Sequence, residues 1–192
     1  MLLDILRQLN WVDILIIIVL FRICYVAMKT GIIVELFKLL GTLLAIFLAY
    51  HNYARLADFL LDRFAIKVVP IEFLDFMSFA VLLILGYLVC LLLRIAFFHI
   101  VKVETVSLIN RWGGLVLSIG RGILFVSIII YLLAISTITY FKDSVDASYF
   151  GKATMKIAPA VYGALWNGAV SKFMPQGEFN KNIEEIINSL KS

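Results

Sequence analysis

Charge is scarce in this sequence. Asp, Glu, Lys and Arg together make 16% of its 192 residues, against about 25% in a soluble domain. Proline appears three times, cysteine twice and histidine twice. Cys24 and Cys90 each fall inside an apolar run, and no CxxC occurs, so both read as small buried hydrophobes. His51 and His99 each close an apolar run without Cys, His, Asp or Glu at ligand spacing, which points to packing or interface roles and to no metal. There is no GxSxG, HExxH, phosphate-binding loop or paired-carboxylate pattern, so neither an enzyme activity nor a cofactor is expected. A Lys/Arg block with interleaved aromatics is also missing, which argues against a nucleic-acid partner.

What replaces the charge is apolar length. Hydrophobic residues make 63% of the chain, and the mean hydropathy is +1.03. A bilayer core of about 30 Å takes roughly 20 residues of helix. Four runs meet that demand: Ile14–Ala27 with Trp11 before it, Ile32–Tyr53, Phe73–Val101 and Leu115–Phe141. Each is too long for a strand and apolar all round, so a bilayer helix is the physical solution. The first run is interrupted by Arg22 and followed by no small-x-small cleavage site, so it reads as an uncleaved span. The expected architecture is an all-α polytopic membrane protein. Residues 1–141 form a four-helix transmembrane domain and 142–192 an amphipathic helical tail.

Orientation follows from basic residues near the span ends. Arg22, Lys29, Lys38, Arg94, Lys102, Arg111 and Arg121 cluster around the 1–2 and 3–4 connections. Bases on the other side are as numerous but mixed with acids such as Asp4, Asp13, Asp58 and Asp62. The denser basic set places those two connections in the cytoplasm and both termini outside.

The tail is too polar for a fifth span. Val161, Tyr162, Leu165, Trp166, Ala169, Val170 and Phe173 recur at helical spacing after Pro159, which suits a first helical turn. Beyond Pro175, a second stripe follows: Phe179, Ile183, Ile186, Ile187 and Leu190. These helices either cap the bundle or lie on the membrane surface, or the second stripe is a face for a partner helix. A smaller amphipathic helix is expected over Ala54–Phe64.

Charges within the spans are candidates for function. Arg22, Glu35, Arg94 and Arg121, with Lys38, converge on one leaflet. The arginines either snorkel to the interface or enter a network in which Glu35 pairs with Arg22 or Arg94. Ser127, Ser136, Thr42 and Thr137 are the main polar groups deeper in the spans, and such hydroxyls are most often satisfied in their own helix. Span four opens with Gly114, Ser118 and Gly122, small residues every fourth position that let another backbone approach. They serve packing within the bundle or self-association into a homo-oligomer.

Asn10-Trp11-x-Asp13 before span one, Gly31-x-x-x-Glu35 at span two, and Asn110-Arg111-x-x-Gly114 with Arg121-Gly122 at span four form an ordered set. With Pro159 after a Ser148 stretch, this set resembles the colicin V production protein family of bacterial inner-membrane proteins over about residues 10 to 160. Thr30 stands before Gly31 where the family commonly has Arg, and Ser118 stands where it often has Gly. The resemblance implies a small inner-membrane protein linked to toxin biosynthesis or export and to envelope homeostasis. Some relatives join this membrane domain to a periplasmic serine protease; the present tail is too short for that domain. Two classes stay open. One is a non-enzymatic interaction or scaffold subunit with a membrane or periplasmic protein partner in the lipid bilayer. The other is a channel or transporter component.

Overall fold

The computed structural model describes residues 9–64, 69–100, 108–136, 138–173, 180, 182–183 and 186. Among them there are helices and no strands. Helix α1 (Trp11–Thr30) starts where a capping box starts it. The Trp11 backbone N–H donates to Asn10 Oδ1 at 2.6 Å, and the Asn10 N–H donates to Asp13 Oδ2 at 2.9 Å. Two of the free N–H groups at the helix start are thus satisfied by side chains. Gly31 ends α1 at φ +77°, ψ 170°, a region open essentially to glycine alone. That single residue turns the chain by enough to begin α2 (Ile32–Phe64) at once.

Helix α2 is longer than expected. The separate amphipathic helix anticipated over residues 54–64 is its continuation, without a break. Nothing in Ala54–Phe64 interrupts the helix, since neither Gly nor Pro occurs there. Pro70 then opens α3 (Ile71–Ile100), its carbonyl accepting from the Phe73 N–H at 3.1 Å. Helix α4 (Leu108–Ala134) begins and ends seven residues earlier than the expected fourth span. Asn110 to Gly114 are helical because Asn110 is tied across to α2 (its Oδ1 accepts from the Ile32 N–H at 2.7 Å). The far end stops where Ser136 turns back on Leu133: its hydroxyl reaches the Leu133 carbonyl at 2.7 Å. All four helices are long and apolar enough to cross a membrane.

The four are packed as a row rather than as a closed bundle. Helices α2 and α4 form the centre. Helix α3 lies along α2 and barely touches α4, while α1 lies along α4 and barely touches α2. Half of the α4 span is buried, but only 22% of the α1 and α3 spans. The α2–α3 seam is close: a Cβ on Gly86 would sit 2.6 Å from Ala45 Cα, and one on Gly41 3.0 Å from Cys90 Cβ. Where α3 splays from α4, an apolar recess of about 340 Å³ remains, floored by Thr42 and Ala45 and walled by Ile84, Leu88, Ile128 and Leu132 among others.

The tail folds over one end of this row. Helix α5 (Thr139–Asp146), α6 (Gly151–Met155) and α7 (Ile157–Leu165) pack against α4, with α7 also reaching α2. Helix α7 runs on through a π-helical turn (Trp166–Val170) into α8 (Ser171–Phe173). The helical stripe read from Pro159 onward is therefore part of a longer element. Tyr50, Phe79, Tyr131 and Tyr162 stack into one aromatic core under it, with centroid separations of 4.6 to 5.9 Å.

Candidate functional site

Two buried carboxylates organise the molecule, one at each end of the row. Glu35 sits in the first turn of α2, fully buried. Its Oε1 accepts from the Thr30 hydroxyl at 2.8 Å and from Lys38 Nζ at 2.5 Å. Its Oε2 accepts from Arg121 Nε at 3.1 Å and lies 3.0 Å from Arg121 Nη2. Arg121 is itself 8% exposed. The helical spacing explains the set: Lys38 is one turn beyond Glu35 on the same face, and Thr30 precedes the tight Gly31 turn. One carboxylate between two cations leaves this three-residue cluster with a single net positive charge.

The pairing differs from the expected one. Arg22 is exposed on α1 and Arg94 half-buried on α3, and neither is a partner of Glu35 among the described residues. The physical reason is the row. Helix α3 sits on the far side of α2 from α4, so Arg94 lines a small recess with Phe37, Lys38 and Tyr87 instead. Arg121, in the second row position, faces Glu35 directly.

Around this ion pair the backbones nearly touch. A Cβ on Gly114 would come 2.9 Å from the Gly31 carbonyl carbon, and one on Gly31 2.7 Å from Asn110 Nδ2. Gly122, two turns on, faces Leu20 and Ile23 of α1. Ser118 is buried between them, its hydroxyl donating to the Leu115 carbonyl at 2.8 Å. The small-residue stripe is thus filled within this chain, by α1 and the α1–α2 turn. Arg111 points away and, with Met28, Trp112 and Leu115, borders a recess of about 210 Å³.

Asp13 is the second carboxylate, also fully buried. It has no cation. Its Oδ1 accepts from the Ser148 hydroxyl at 2.7 Å and the Phe150 N–H at 2.9 Å. Its Oδ2 accepts from the Asn10 N–H at 2.9 Å and the Tyr149 N–H at 3.2 Å. The neighbours reinforce the joint. Asn10 Nδ2 donates to the Ser144 carbonyl at 2.9 Å, and Trp11 Nε1 to the Ser144 hydroxyl at 2.9 Å. Trp11 also stacks on Tyr140, with ring centroids 6.2 Å apart. The start of α1 is thereby bound to the segment after α4.

Ser127 extends the same joint inward. Its hydroxyl donates to the Met155 carbonyl at 3.1 Å and accepts from the Ala158 N–H at 2.8 Å. These are the backbone groups freed where the chain breaks between α6 and α7, and no water would satisfy them in a bilayer. Pro159 is buried just beyond. His51 Nδ1 lies 3.0 Å from the Tyr162 hydroxyl, and its ring stacks on Trp166 at 5.0 Å. Burial raises the Tyr162 hydroxyl above its ordinary pKa, with the Asn180 backbone amide and then Arg55 pulling it back.

The expected partner face of the tail is turned inward at Ile183, which is 2% exposed in the core, and Ile186 packs against that core. Phe179, Ile187 and Leu190 lie outside the described residues, as does Thr137. Sequence reasoning missed Ser144 and the tyrosine hydroxyls of the core; Ser148 carried a signal through the stretch that leads to Pro159.

No metal-holding group of His, Cys, Asp or Glu occurs among the described residues. Neither a curated protein nor a solved structure matches the chain. The family model described as Colicin V production protein matches residues 12–159. That interval holds both buried clusters, from Asp13 through Glu35 and Arg121 to Pro159, and so this chain belongs to the colicin V production protein family.

Proposed function

We propose that the chain is a non-enzymatic interaction subunit of the bacterial inner membrane, serving toxin biosynthesis or export and envelope homeostasis through membrane or periplasmic protein partners. One observation carries the reading: its buried charges are spent on holding the chain together. Glu35 is taken up by Thr30, Lys38 and Arg121, and Asp13 by four donors. Between them lies a mainly apolar layer that includes Leu43, Ile46, Leu124 and Val126, with the hydroxyls of Thr42 and Ser127 donating to the Lys38 and Met155 carbonyls. Arg121 and Tyr131, which bound that layer on α4, stand about 15 Å apart along the helix. Transport of an ion would need ionisable groups within that layer. What the chain offers outward is apolar surface on the flanking helices, such as Phe21 at 74% and Leu92 at 64% exposure.

The Glu35 end is cytoplasmic in this reading and both termini are periplasmic, because Arg22, Lys29, Arg94 and Arg111 gather at that end. Periplasm-dependent reporters fused after residues 30, 65, 106 and 192 should be active only at 65 and 192. Photo-crosslinkers at Phe21 and Leu92 in native membranes should capture discrete protein partners. Reproducible ion or solute flux from the pure protein in liposomes would replace this reading with a channel or transporter.

A further inference from the structure

At the Asp13 end, three helices bring hydroxyl groups into an otherwise aromatic core. Tyr50 and Tyr53 come from α2, Ser78 from α3 and Tyr131 from α4, each at most 1% exposed. They surround Phe79, whose ring lies 5.0 Å from that of Tyr50 and 5.2 Å from that of Tyr131. The hydroxyl oxygens of Tyr50 and Ser78 are shut off from solvent and meet no hydrogen-bond partner among the described residues. The Tyr131 hydroxyl is shut off from solvent in the same way. Protein interiors leave few such groups unpaired, and ordered water is the usual partner where the chain supplies none.

We propose that Tyr50, Ser78 and Tyr131 hold ordered water, in an internal site that opens toward Asp75. Three observations support it. First, three helices bring buried hydroxyls around the one ring of Phe79, and a buried water is held by two to four polar partners. Second, the site has an outlet. Asp75, Ser78 and Phe79 fall on one face of α3 at i, i+3 and i+4, and Asp75 is half-buried while Asp58 and Glu72 beside it are exposed. A carboxylate cluster at the mouth draws water in and supplies it with acceptors. Third, the depth is small. Ser78 lies about two turns inside the start of α3, and Tyr131 about one turn inside the end of α4. Ile46 and Val126, both fully buried, stand about one turn nearer the Glu35 end than Tyr50 and Tyr131 on the same helices.

Hydroxyl-radical footprinting of the full chain in detergent micelles or nanodiscs tests this, because radicals formed from a held water oxidise the side chain beside it. Tyr50 and Tyr131 should be oxidised at rates near those of Tyr140 and Tyr149, which are 62% and 60% exposed, despite being 0% exposed themselves. Oxidation as slow as that of Phe79 would overturn the proposal. Tyr50→Phe gives a second readout with a sign. If the hydroxyl binds water, its removal leaves that water short of a partner and the melting temperature falls. If the hydroxyl is dry and unpaired, its removal relieves a burial cost and the melting temperature holds or rises. A fall without footprinting of Tyr50 means direct hydroxyl contacts and also overturns the site. Should Tyr50→Phe not fold, Ser78→Ala carries the same sign and the wild-type footprint still decides.

Discussion

The two ends of the helix row hold a buried carboxylate by different means. At one end Glu35 is neutralised by charge, with Arg121 from α4 and Lys38 from its own helix. At the other, Asp13 is held, among the described residues, by dipoles: three backbone N–H groups and one serine hydroxyl. Charge reaches across helices and needs little precision, so it suits a joint between long spans. Backbone amides act only at contact, so they suit a joint between a helix start and a folded loop. The first arrangement depends on two partners of opposite sign in a low-dielectric site. Losing either leaves an uncompensated charge. The second shares the charge over four short bonds, each of which can fail without stranding a cation.

The sharpest way to break that contrast is to remove Glu35. Glu35→Ala leaves Arg121, 8% exposed, without its counter-charge, at a cost of about 3–5 kcal/mol as for other broken buried pairs. Thermal denaturation in a mild detergent should show the largest loss of any single substitution discussed here. The double change Glu35→Leu with Arg121→Met should recover a good part of it, because an apolar pair of similar volume is tolerated where half an ion pair is not. A double variant as unstable as Glu35→Ala alone would mean that the pair acts through packing rather than charge.

Asp13→Asn probes the other end and should cost less, about 1.5–3 kcal/mol, the range for hydrogen bonds to a charged group. An amide has one oxygen, so its NH2 must face two of the four donors. The effect should also be local. The α1 start and the 144–151 segment should part, and protease should cut between α5 and α6 while the spans stay folded. Loss confined to the tail would confirm that dipoles at this end hold only what they touch; a global loss equal to that of Glu35→Ala would erase the distinction.

The same contrast explains what the sequence could reveal. Four spans were legible because apolar length is a property of the run itself. Glu35 and Arg121 stood out as charges in apolar runs, but their pairing did not. Arg22 and Arg94 were the expected partners, and it is the order α3, α2, α4, α1 that puts Arg121 across from Glu35 instead. Asp13 was visible as a motif residue, yet its partners were not, since a backbone N–H belongs to nearly every residue. The tail was legible as helical and apolar on one side. That Ile183 turns inward, and that Ser127 serves the break between α6 and α7, depend on tertiary contacts with no local signature.

The smallest expected effect separates packing from both electrostatic devices. Gly114 and Gly120 lie six residues apart on α4, both near the Glu35 end, and neither has a side chain to remove. A Cβ at Gly114 would meet the Gly31 carbonyl carbon at 2.9 Å, whereas one at Gly120 meets nothing within 4 Å. Backbone cannot yield as a flexible side chain can, so Gly114→Ala must push α4 from the α1–α2 turn, at about 1–3 kcal/mol for overpacking. Gly120→Ala adds only helix propensity, a gain of at most about 1 kcal/mol. Paired melting curves should therefore move in opposite directions, with the Gly120 shift the smaller. If Gly120→Ala lowers stability or changes the size of the detergent complex instead, the open face of α4 at Gly120 is covered by another chain. The small residues of this helix would then serve self-association as well as the Glu35 joint.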